Sequence, residues 1–304
     1  MSLILHKAGI LASIQDFGRV GFQHVGIPIS GAMDRQSLEL ANTICGNDPL
    51  SPAIEFTLHG AVIEFDQPHF IALAGGGAVA TINQYPIPYN QLIAVDAGSI
   101  LTLHPYPTGC YSYLAIAGGL HITPELGSCS TFALAKLGGI DGSHLKAGDM
   151  IGVDAATIKN KLSELTGTNF KNGCSISPVS ITTQNPALQH KTIEIKCHKG
   201  PEWDWFNNDS QERFYNQYWT VSTQANRMGY RLDGDFLKIQ ENREMISTPV
   251  TRGIIQITSS GQPIVLMADA QTIGGYPRIG RIYQDELPVI AQSRPGTAIK
   301  FIVN

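Results

Sequence analysis

Short apolar segments separated by turn-forming residues dominate the pattern of this 304-residue chain. From Ala61 onward they include AVIEFD, HFIALAG, QLIAVDAG and CYSYLAIAGG, and similar runs recur over residues 191–303. Each run has the length of a β-strand, and glycine, proline, asparagine or aspartate lies between successive runs. Strands of this length at near-regular spacing are typical of barrels and sandwiches. The pattern therefore predicts a mainly β fold.

Helical periodicity is restricted to a few short segments. The clearest segment follows Ser30 and Asp34, either of which could cap a helix, and it ends at Gly46. Two further short helices are predicted near Lys159 and near Arg213, where apolar residues again recur at helical spacing. We therefore expect little helix in the structure.

A recurring turn–strand unit indicates how the chain is divided. DAGSILTL, KAGDMIGV and RPGTAIKFIV each place a glycine-containing turn before a strand, and they occur in both halves. Turn chemistry alone would also produce such units. We expect two β domains at residues 1–154 and 191–304, with a helix and a linker at residues 155–190.

Polar residues directly follow one of the apolar runs in the second half. The run at 264–268 has the features of a buried strand, and Asp269, Gln271, Thr272 and Tyr276 come after it. A rigid strand that delivers polar groups into a loop is a common way to build a site. The alternative is that Asp269 and Thr272 merely cap the turn.

Two arginines offer a partner for this carboxylate. In the motif NRMGYRL, Arg227 and Arg231 would lie on one face of an extended segment. Paired guanidinium groups suit a carboxylate or a phosphate. A carboxylate at the end of an apolar strand needs water or a cation, so we expect Asp269 to share a cleft with both arginines. The alternative is two ion pairs that hold a loop.

Charge and composition exclude several classes of partner. The net charge is −4, only 15% of residues are charged, and no run of lysine and arginine occurs, so nucleic acid and anionic membranes are not expected. No apolar run approaches the roughly 20 residues that cross a bilayer, and the N-terminal residues lack the features of a signal peptide. The five scattered cysteines, without a CxxC pair, are typical of a cytoplasmic protein.

Motifs for nucleotide and metal binding are missing from the sequence. β-Branched residues follow the glycine loop at 74–77, whereas a phosphate loop needs a lysine and a helix N-terminus. The nine histidines form no HxxxH or HExxH pattern, and there is no GxSxG elbow. We predict that this chain alone binds no cofactor and no metal.

Three polar, glycine-bearing segments supply the remaining candidates, namely QDFGR, SGAMD and GSCST. Asp34 ends the second segment, and Ser130 and Thr131 end the third. Cys129 could act as a nucleophile there, but a lone cysteine without a designated base is more often inert.

These motifs together resemble the allophanate hydrolase subunit 2 family. The resemblance is carried, in the family's order, by QDFGRVGFQHVGIPISGAMD with LANTICGN, by AGGL, LGSCST and LKAGD, by NRMGYRL, and by IQITSSGQPIVLMADAQTIGGYP with AQSRPG. The family includes the KipI antagonist, one of the subunits of prokaryotic 5-oxoprolinase and part of the carboxyltransferase region of urea carboxylase. It implies two cyclophilin-like β-barrel domains with a few short helices.

The resemblance also implies a function and partners. The expected activity is the ATP-dependent opening of 5-oxoproline to glutamate, beside a KipI-like subunit and a lactam-handling subunit, with ATP used by the complex. One alternative is a carboxyltransferase component that acts on carboxybiotin held by another protein, since no Met-Lys dipeptide occurs here. Another is a non-catalytic antagonist of a KipI-like kinase inhibitor.

Motif position and residue chemistry together give the candidate site. The candidates for catalysis are Asp34, Asp269 and Arg227, and those for substrate binding are Arg231, Gln271, Thr272, Tyr276, Ser130 and Thr131. The resembled family usually has an arginine where this chain has Cys129, and a second threonine where Ile273 stands. These departures indicate either altered substrate choice or drift.

Overall fold

The chain forms two compact units in a computed structural model that describes residues 1–58, 60–154, 172–183, 185–239 and 245–303. The first unit comprises Met1–Arg19 and Asp34–Gln184, and the second comprises Val20–Met33 and Asn185–Asn304. The sequence pattern had suggested units that are continuous along the chain, whereas residues 20–33 group with the C-terminal part. The helix predicted near Lys159 lies outside the described residues.

Two six-stranded sheets build the first unit. Their strand orders are β11-β1-β4-β9-β6-β7 and β12-β8-β5-β10-β3-β2. The strands are β1 (Ser2–Lys7), β2 (Ser13–Gln15), β3 (Ala53–Thr57), β4 (Val62–Phe65), β5 (His69–Gly75), β6 (Ala80–Ile82), β7 (Tyr85–Ile87), β8 (Gln91–Val95), β9 (Ile100–Leu103), β10 (Tyr111–Ile116), β11 (Met150–Gly152) and β12 (Cys174–Ser180).

One apolar core joins these two sheets. Leu5 and Phe65 from the first sheet belong to the same buried cluster as Leu114 and Ile116 from the second. Because side chains alternate along a strand, Tyr113 on β10 faces away from that cluster. The core therefore leaves the outer face of the second sheet to be covered by a helix.

Helix α1 (Arg35–Cys45) covers that face, and residues next to it in the sequence determine where it begins and ends. Asp34 is the N-cap, and its carboxylate accepts a hydrogen bond from the backbone N–H of Ser37. Gly46 ends the helix with a left-handed conformation, φ 67°. The prediction of this helix from its cap and its glycine stop is confirmed.

The second unit contains a closed seven-stranded barrel and a separate two-stranded ribbon. The barrel order is β13-β20-β17-β18-β15-β14-β21, and the ribbon pairs β16 with β19. The strands are β13 (Thr192–Lys199), β14 (Trp219–Val221), β15 (Gly229–Asp233), β16 (Thr248–Pro249), β17 (Ile254–Ile257), β18 (Pro263–Leu266), β19 (Ile273–Gly274), β20 (Arg278–Ile282) and β21 (Ala298–Val303). The expectation of a mainly β fold is confirmed.

Two short helices accompany the barrel. They are α2 (Asn208–Asn216) and α3 (Leu287–Ala291). Helix α2 contains Arg213, so the helix predicted there is confirmed, whereas the sequence pattern did not reveal α3. The cap of α2 is Asn207, whose side chain accepts from the backbone N–H of Ser210. No helix in the described ranges is long and apolar enough to cross a bilayer.

A small apolar cluster joins the end of β18 to residues next to the ribbon. Val250, Leu266 and Ala270 are buried in it, and Ile254 packs against them. Strand β18 ends at Leu266, two residues earlier than the run at 264–268 predicted, and the chain then turns. Because Leu266 and Ala270 lie on either side of Asp269 in the chain, this cluster holds both ends of the turn that carries Asp269.

Candidate functional site

The predicted site residues fall into both compact units. Asp34, Ser130 and Thr131 belong to the first unit, and Arg227, Arg231, Asp269, Gln271, Thr272 and Tyr276 belong to the second.

Arg227 and Asp269 form a nearly buried ion pair in the second unit. Arg227 Nε donates to Asp269 Oδ2 at 2.7 Å, and Nη2 donates to Oδ1 at 3.1 Å. The two side chains are only 11% and 12% exposed. The backbone N–H of Asp269 also donates to the carbonyl of Arg227 at 2.9 Å. Two parallel charge-assisted bonds fix both groups, as in a bidentate arginine–carboxylate pair.

The same arginine binds the segment that precedes helix α1. Its Nη2 donates to the carbonyl oxygen of Gly31 at 2.7 Å. Arg252 Nη1 donates to the carbonyl of Ala32 at 2.9 Å, and its Nη2 donates to the carbonyl of Met33. These bonds attach residues 31–33, the end of the segment 20–33, to the rest of the second unit. Sequence reasoning missed Arg252, because a single arginine in TRG carries no pattern.

A buried glutamine organises the loop after Asp269. Gln256 on β17 is fully buried, and its Nε2 donates to the carbonyl of Tyr276 at 3.1 Å. Its Oε1 accepts from Nε2 of the exposed Gln271 at 3.3 Å. Thr272 is buried, and its carbonyl accepts from the N–H of Val250 at 3.0 Å. Tyr276 is 44% exposed.

Arg231 is placed apart from this group of contacts. It lies on β15 opposite Ile264, and its side chain is exposed. Arg227 precedes β15, which begins at Gly229, so the extended segment does not include both arginines. The structure brings Asp269 to Arg227 but shows no contact between Asp269 and Arg231.

In the first unit, Asp16 is the centre of a polar cluster. One of its oxygens, Oδ1, accepts from Ser128 Oγ and from the N–H of Gly18, both at 2.7 Å, and also from Ser130 Oγ. The other, Oδ2, accepts from the N–H of Cys129 at 2.6 Å. The Ser130 hydroxyl is therefore engaged with a carboxylate that holds the turn. The motif QDFGR marks this segment, but Asp16 was not predicted as a site residue.

The other first-unit candidates have local structural partners. The Asp34 carboxylate accepts from the hydroxyl of Ser37 at 2.6 Å, in addition to capping α1. Thr131 is buried, and its carbonyl accepts from Gln15 Nε2 at 3.2 Å. Burial, and secondarily Asp16, raises the pKa of the Cys129 thiol to about 11. That thiol is protonated at neutral pH, as expected for an inert cysteine.

A buried acid that the sequence did not reveal lies near the cap of α1. Glu55 on β3 is fully buried, and its Oε2 accepts from the hydroxyl of Tyr113 at 2.7 Å. That hydroxyl in turn accepts from the backbone N–H of Asp34 at 2.8 Å. Burial, and then the charge of Glu55, raises the pKa of Tyr113 well above its usual value. Glu55 was overlooked because AIEFT has the pattern of an apolar strand.

The glycine loop at 74–77 does not suit a phosphate. The N–H of Gly76 donates to the carbonyl of Tyr111 at 2.6 Å. The chain passes from β5 to β6 without a helix, so no helix N-terminus faces the loop. For a metal, no group of three His, Cys, Asp or Glu side chains within the described ranges could hold an ion.

The architecture and the sequence define the class of protein. Residues 25–303 match the family described as "Carboxyltransferase domain, subdomain A and B". The chain belongs to this family, and the family resemblance inferred from the motifs is confirmed.

Relatives of known description come from two kinds of protein. The chain is 37% identical over 296 residues to a 5-oxoprolinase subunit of Escherichia coli, covering 97% of this chain and 89% of that protein. It is 34% identical to the 5-oxoprolinase subunit of the same designation from Haemophilus influenzae, covering 95% and 87%. The solved structure of K. lactis urea amidolyase is 30% identical with a TM-score of 0.88, and the match covers 99% of this chain but 18% of that one.

Proposed function

We propose that this chain is a subunit of an ATP-dependent 5-oxoprolinase complex, in which 5-oxoproline is opened to glutamate. The observation that carries this proposal is the end-to-end similarity to two 5-oxoprolinase subunits. A KipI-like subunit and a lactam-handling subunit are the proposed partners. In this proposal ATP is used by the assembled complex.

The second unit supplies the proposed substrate contacts. Arg227 and Asp269 are charged, nearly buried and fixed to each other, and the adjoining loop exposes Gln271 and Tyr276. Fixed charges and amide groups can orient a lactam and stabilise charge that develops on its carbonyl oxygen. Asp269 is the proposed acid/base group, and Arg227 holds it in position.

The remaining candidates have weaker geometric support. Arg231 is exposed and is proposed to bind an anionic part of the substrate. Thr272 supports the loop through its backbone. Asp34, Ser130 and Thr131 are engaged in the local structure of the first unit, so we propose that they maintain it.

A second candidate function comes from urea amidolyase. The 30% identical structure of the K. lactis protein covers almost all of this chain, which favours a carboxyltransferase component acting with a biotin carrier on another polypeptide. Because the match spans only 18% of that protein, further polypeptides would have to supply the rest of the activity.

Reconstitution with partner proteins separates these functions. The chain is purified with a KipI-like and a lactam-handling protein from the same genome, and glutamate formation from 5-oxoproline and ATP is measured. We expect glutamate only when all three proteins are present. Turnover that persists without this chain would overturn the proposal. Urea-dependent ATP consumption with a biotin carboxylase, without 5-oxoproline turnover, would favour the second function.

A further inference from the structure

Among the described residues, one hydrogen-bonding edge of the exposed Gln271 amide has no partner, and a chain of contacts sets the direction of that edge. The carbonyl of Tyr276 can only accept a hydrogen bond, so the NH₂ group of Gln256 must face it. The Oε1 of Gln256 must then face Gln271, whose NH₂ group donates to it. As a result Gln271 Oε1 points away from Gln256.

The position of Gln256 in the barrel wall makes this chain of contacts rigid. Gln256 is fully buried on β17, on the same face as Ile254, which packs against the cluster of Val250, Leu266 and Ala270. Beside it the pairing of β17 with β20 shifts register, but the extra residue, Ile279, lies on β20, so the side chains of β17 keep their alternation. A Cβ at Gly274 would lie 2.7 Å from Gln256 Nε2, so the loop closes directly over the amide.

The free groups of Gln271 match a particular kind of amide. Among the described residues, the second N–H of Gln271 and its Oε1 have no hydrogen-bond partner. A ring amide is cis, so it presents N–H and C=O on one edge and can exchange two hydrogen bonds with a carboxamide. An open-chain secondary amide is trans and cannot present both on one edge.

We propose that Gln271 recognises the cis-amide edge of a lactam and that Gln256 is the positioning residue that orients it. This inference rests on the proposed function and names the chemical feature that the site selects. Gln271 contacts the substrate, whereas Gln256 acts only through Gln271 and the Tyr276 carbonyl.

The first test measures 5-oxoproline turnover by the assembled complex. For Gln271→Ala we expect KM to rise about 10-fold, equivalent to about 1.4 kcal/mol, with kcat nearly unchanged, because the contact is already made with bound substrate. The wild-type complex should also be inhibited more strongly by a lactam with a free N–H than by its N-methyl analogue. Gln271→Ala should abolish that preference.

The second test separates positioning from folding. Gln256→Leu removes both contacts and should raise KM as Gln271→Ala does. In Gln256→Glu, a protonated carboxyl group could donate to the Tyr276 carbonyl and accept from Gln271, whereas the ionised form cannot donate. We therefore expect its KM to fall towards the wild-type value as the pH is lowered, which a purely structural defect would not produce.

A matched control comes from the same unit. The side-chain amide of Gln262 also makes two hydrogen bonds to backbone: Oε1 accepts from the N–H of Gly234 at 3.1 Å, and Nε2 donates to the carbonyl of Gly234 at 2.7 Å. Gln262→Ala should leave KM and the N-methyl preference unchanged. If the wild-type complex turns over 5-oxoproline but Gln271→Ala keeps its KM and its preference, lactam recognition is overturned and the proposed function stands. A wild-type complex without turnover overturns both.

Discussion

Replacing Asp269 with asparagine tests whether its ion pair serves catalysis or only the fold. The change keeps the shape of the side chain but removes the charge that accepts two bonds from Arg227, at 2.7 and 3.1 Å. Breaking a fully buried pair from one side costs about 3–5 kcal/mol. Here Arg227 keeps its bond to the carbonyl of Gly31, and both side chains retain slight exposure. We therefore expect a loss of about 2–3 kcal/mol, which lowers Tm by roughly 5–10 °C.

Catalysis predicts a second and larger effect of Asp269→Asn. The loss of an acid/base group lowers kcat by about 100-fold or more. Turnover is measured in the assembled complex and divided by the folded fraction, which circular dichroism gives at the assay temperature. We expect the variant to fold below its Tm and to lose about 100-fold in turnover per folded molecule.

Glu202→Gln is the matched control for this prediction. Glu202 forms an equally bidentate pair with Arg278 in the second unit, at 2.8 and 2.6 Å, and it is nearly buried too. Its loss should lower Tm to a similar extent and leave turnover per folded molecule unchanged. If Asp269→Asn behaves in the same way, with a lower Tm and normal turnover, the catalytic role of Asp269 is refuted.

Three further predictions concern the first unit. Burial lowers the pKa of His69 more than Asp66 raises it, so on acidification the unfolded chain binds a proton at a higher pH than the folded chain does. The free energy of unfolding, measured by urea titration, should therefore fall as the pH drops below about 6.5. His69→Gln should weaken this pH dependence. Cys129 has a pKa of about 11 and is buried, so iodoacetamide at pH 7.5 should label it only after unfolding, as mass spectrometry would show. Asp34→Ala removes the cap of α1 and should cost about 1–2 kcal/mol in denaturant unfolding, whereas a loss of turnover at unchanged stability would contradict its structural role.

The features that the sequence predicted well are those set by near neighbours along the chain. Helix α1 is specified by Asp34, which bonds to a residue three positions later, and by Gly46, whose left-handed conformation needs no side chain. The strands follow from apolar runs between turn formers, because a strand of this kind must bury one or both of its faces. The strand before Asp269 was found in this way, with its end misplaced by two residues.

The features that the sequence did not predict depend on partners far away in the chain. Gln256 lies in the run IIQIT, where one amide among isoleucines gives no sign that it holds Tyr276 and Gln271. Arg252 binds the carbonyls of Ala32 and Met33, and a carbonyl has no sequence signature because every residue has one. Such contacts become visible only when tertiary structure brings the strands and loops together.

Three arginines of the second unit show why spacing alone misassigns a site. Arg227 and Arg231 were paired because they flank a short core symmetrically, which requires all of NRMGYRL to be extended. The chain instead enters β15 only at Gly229, so Arg231 follows the alternation of the strand and Arg227 does not. Arg252, which belongs to no motif, and Arg227 both donate hydrogen bonds to the backbone carbonyls of residues 31–33. Of these three arginines, Arg227 binds a carboxylate and backbone, Arg252 binds backbone, and Arg231 is exposed on β15; the spacing of the motif distinguishes none of these outcomes.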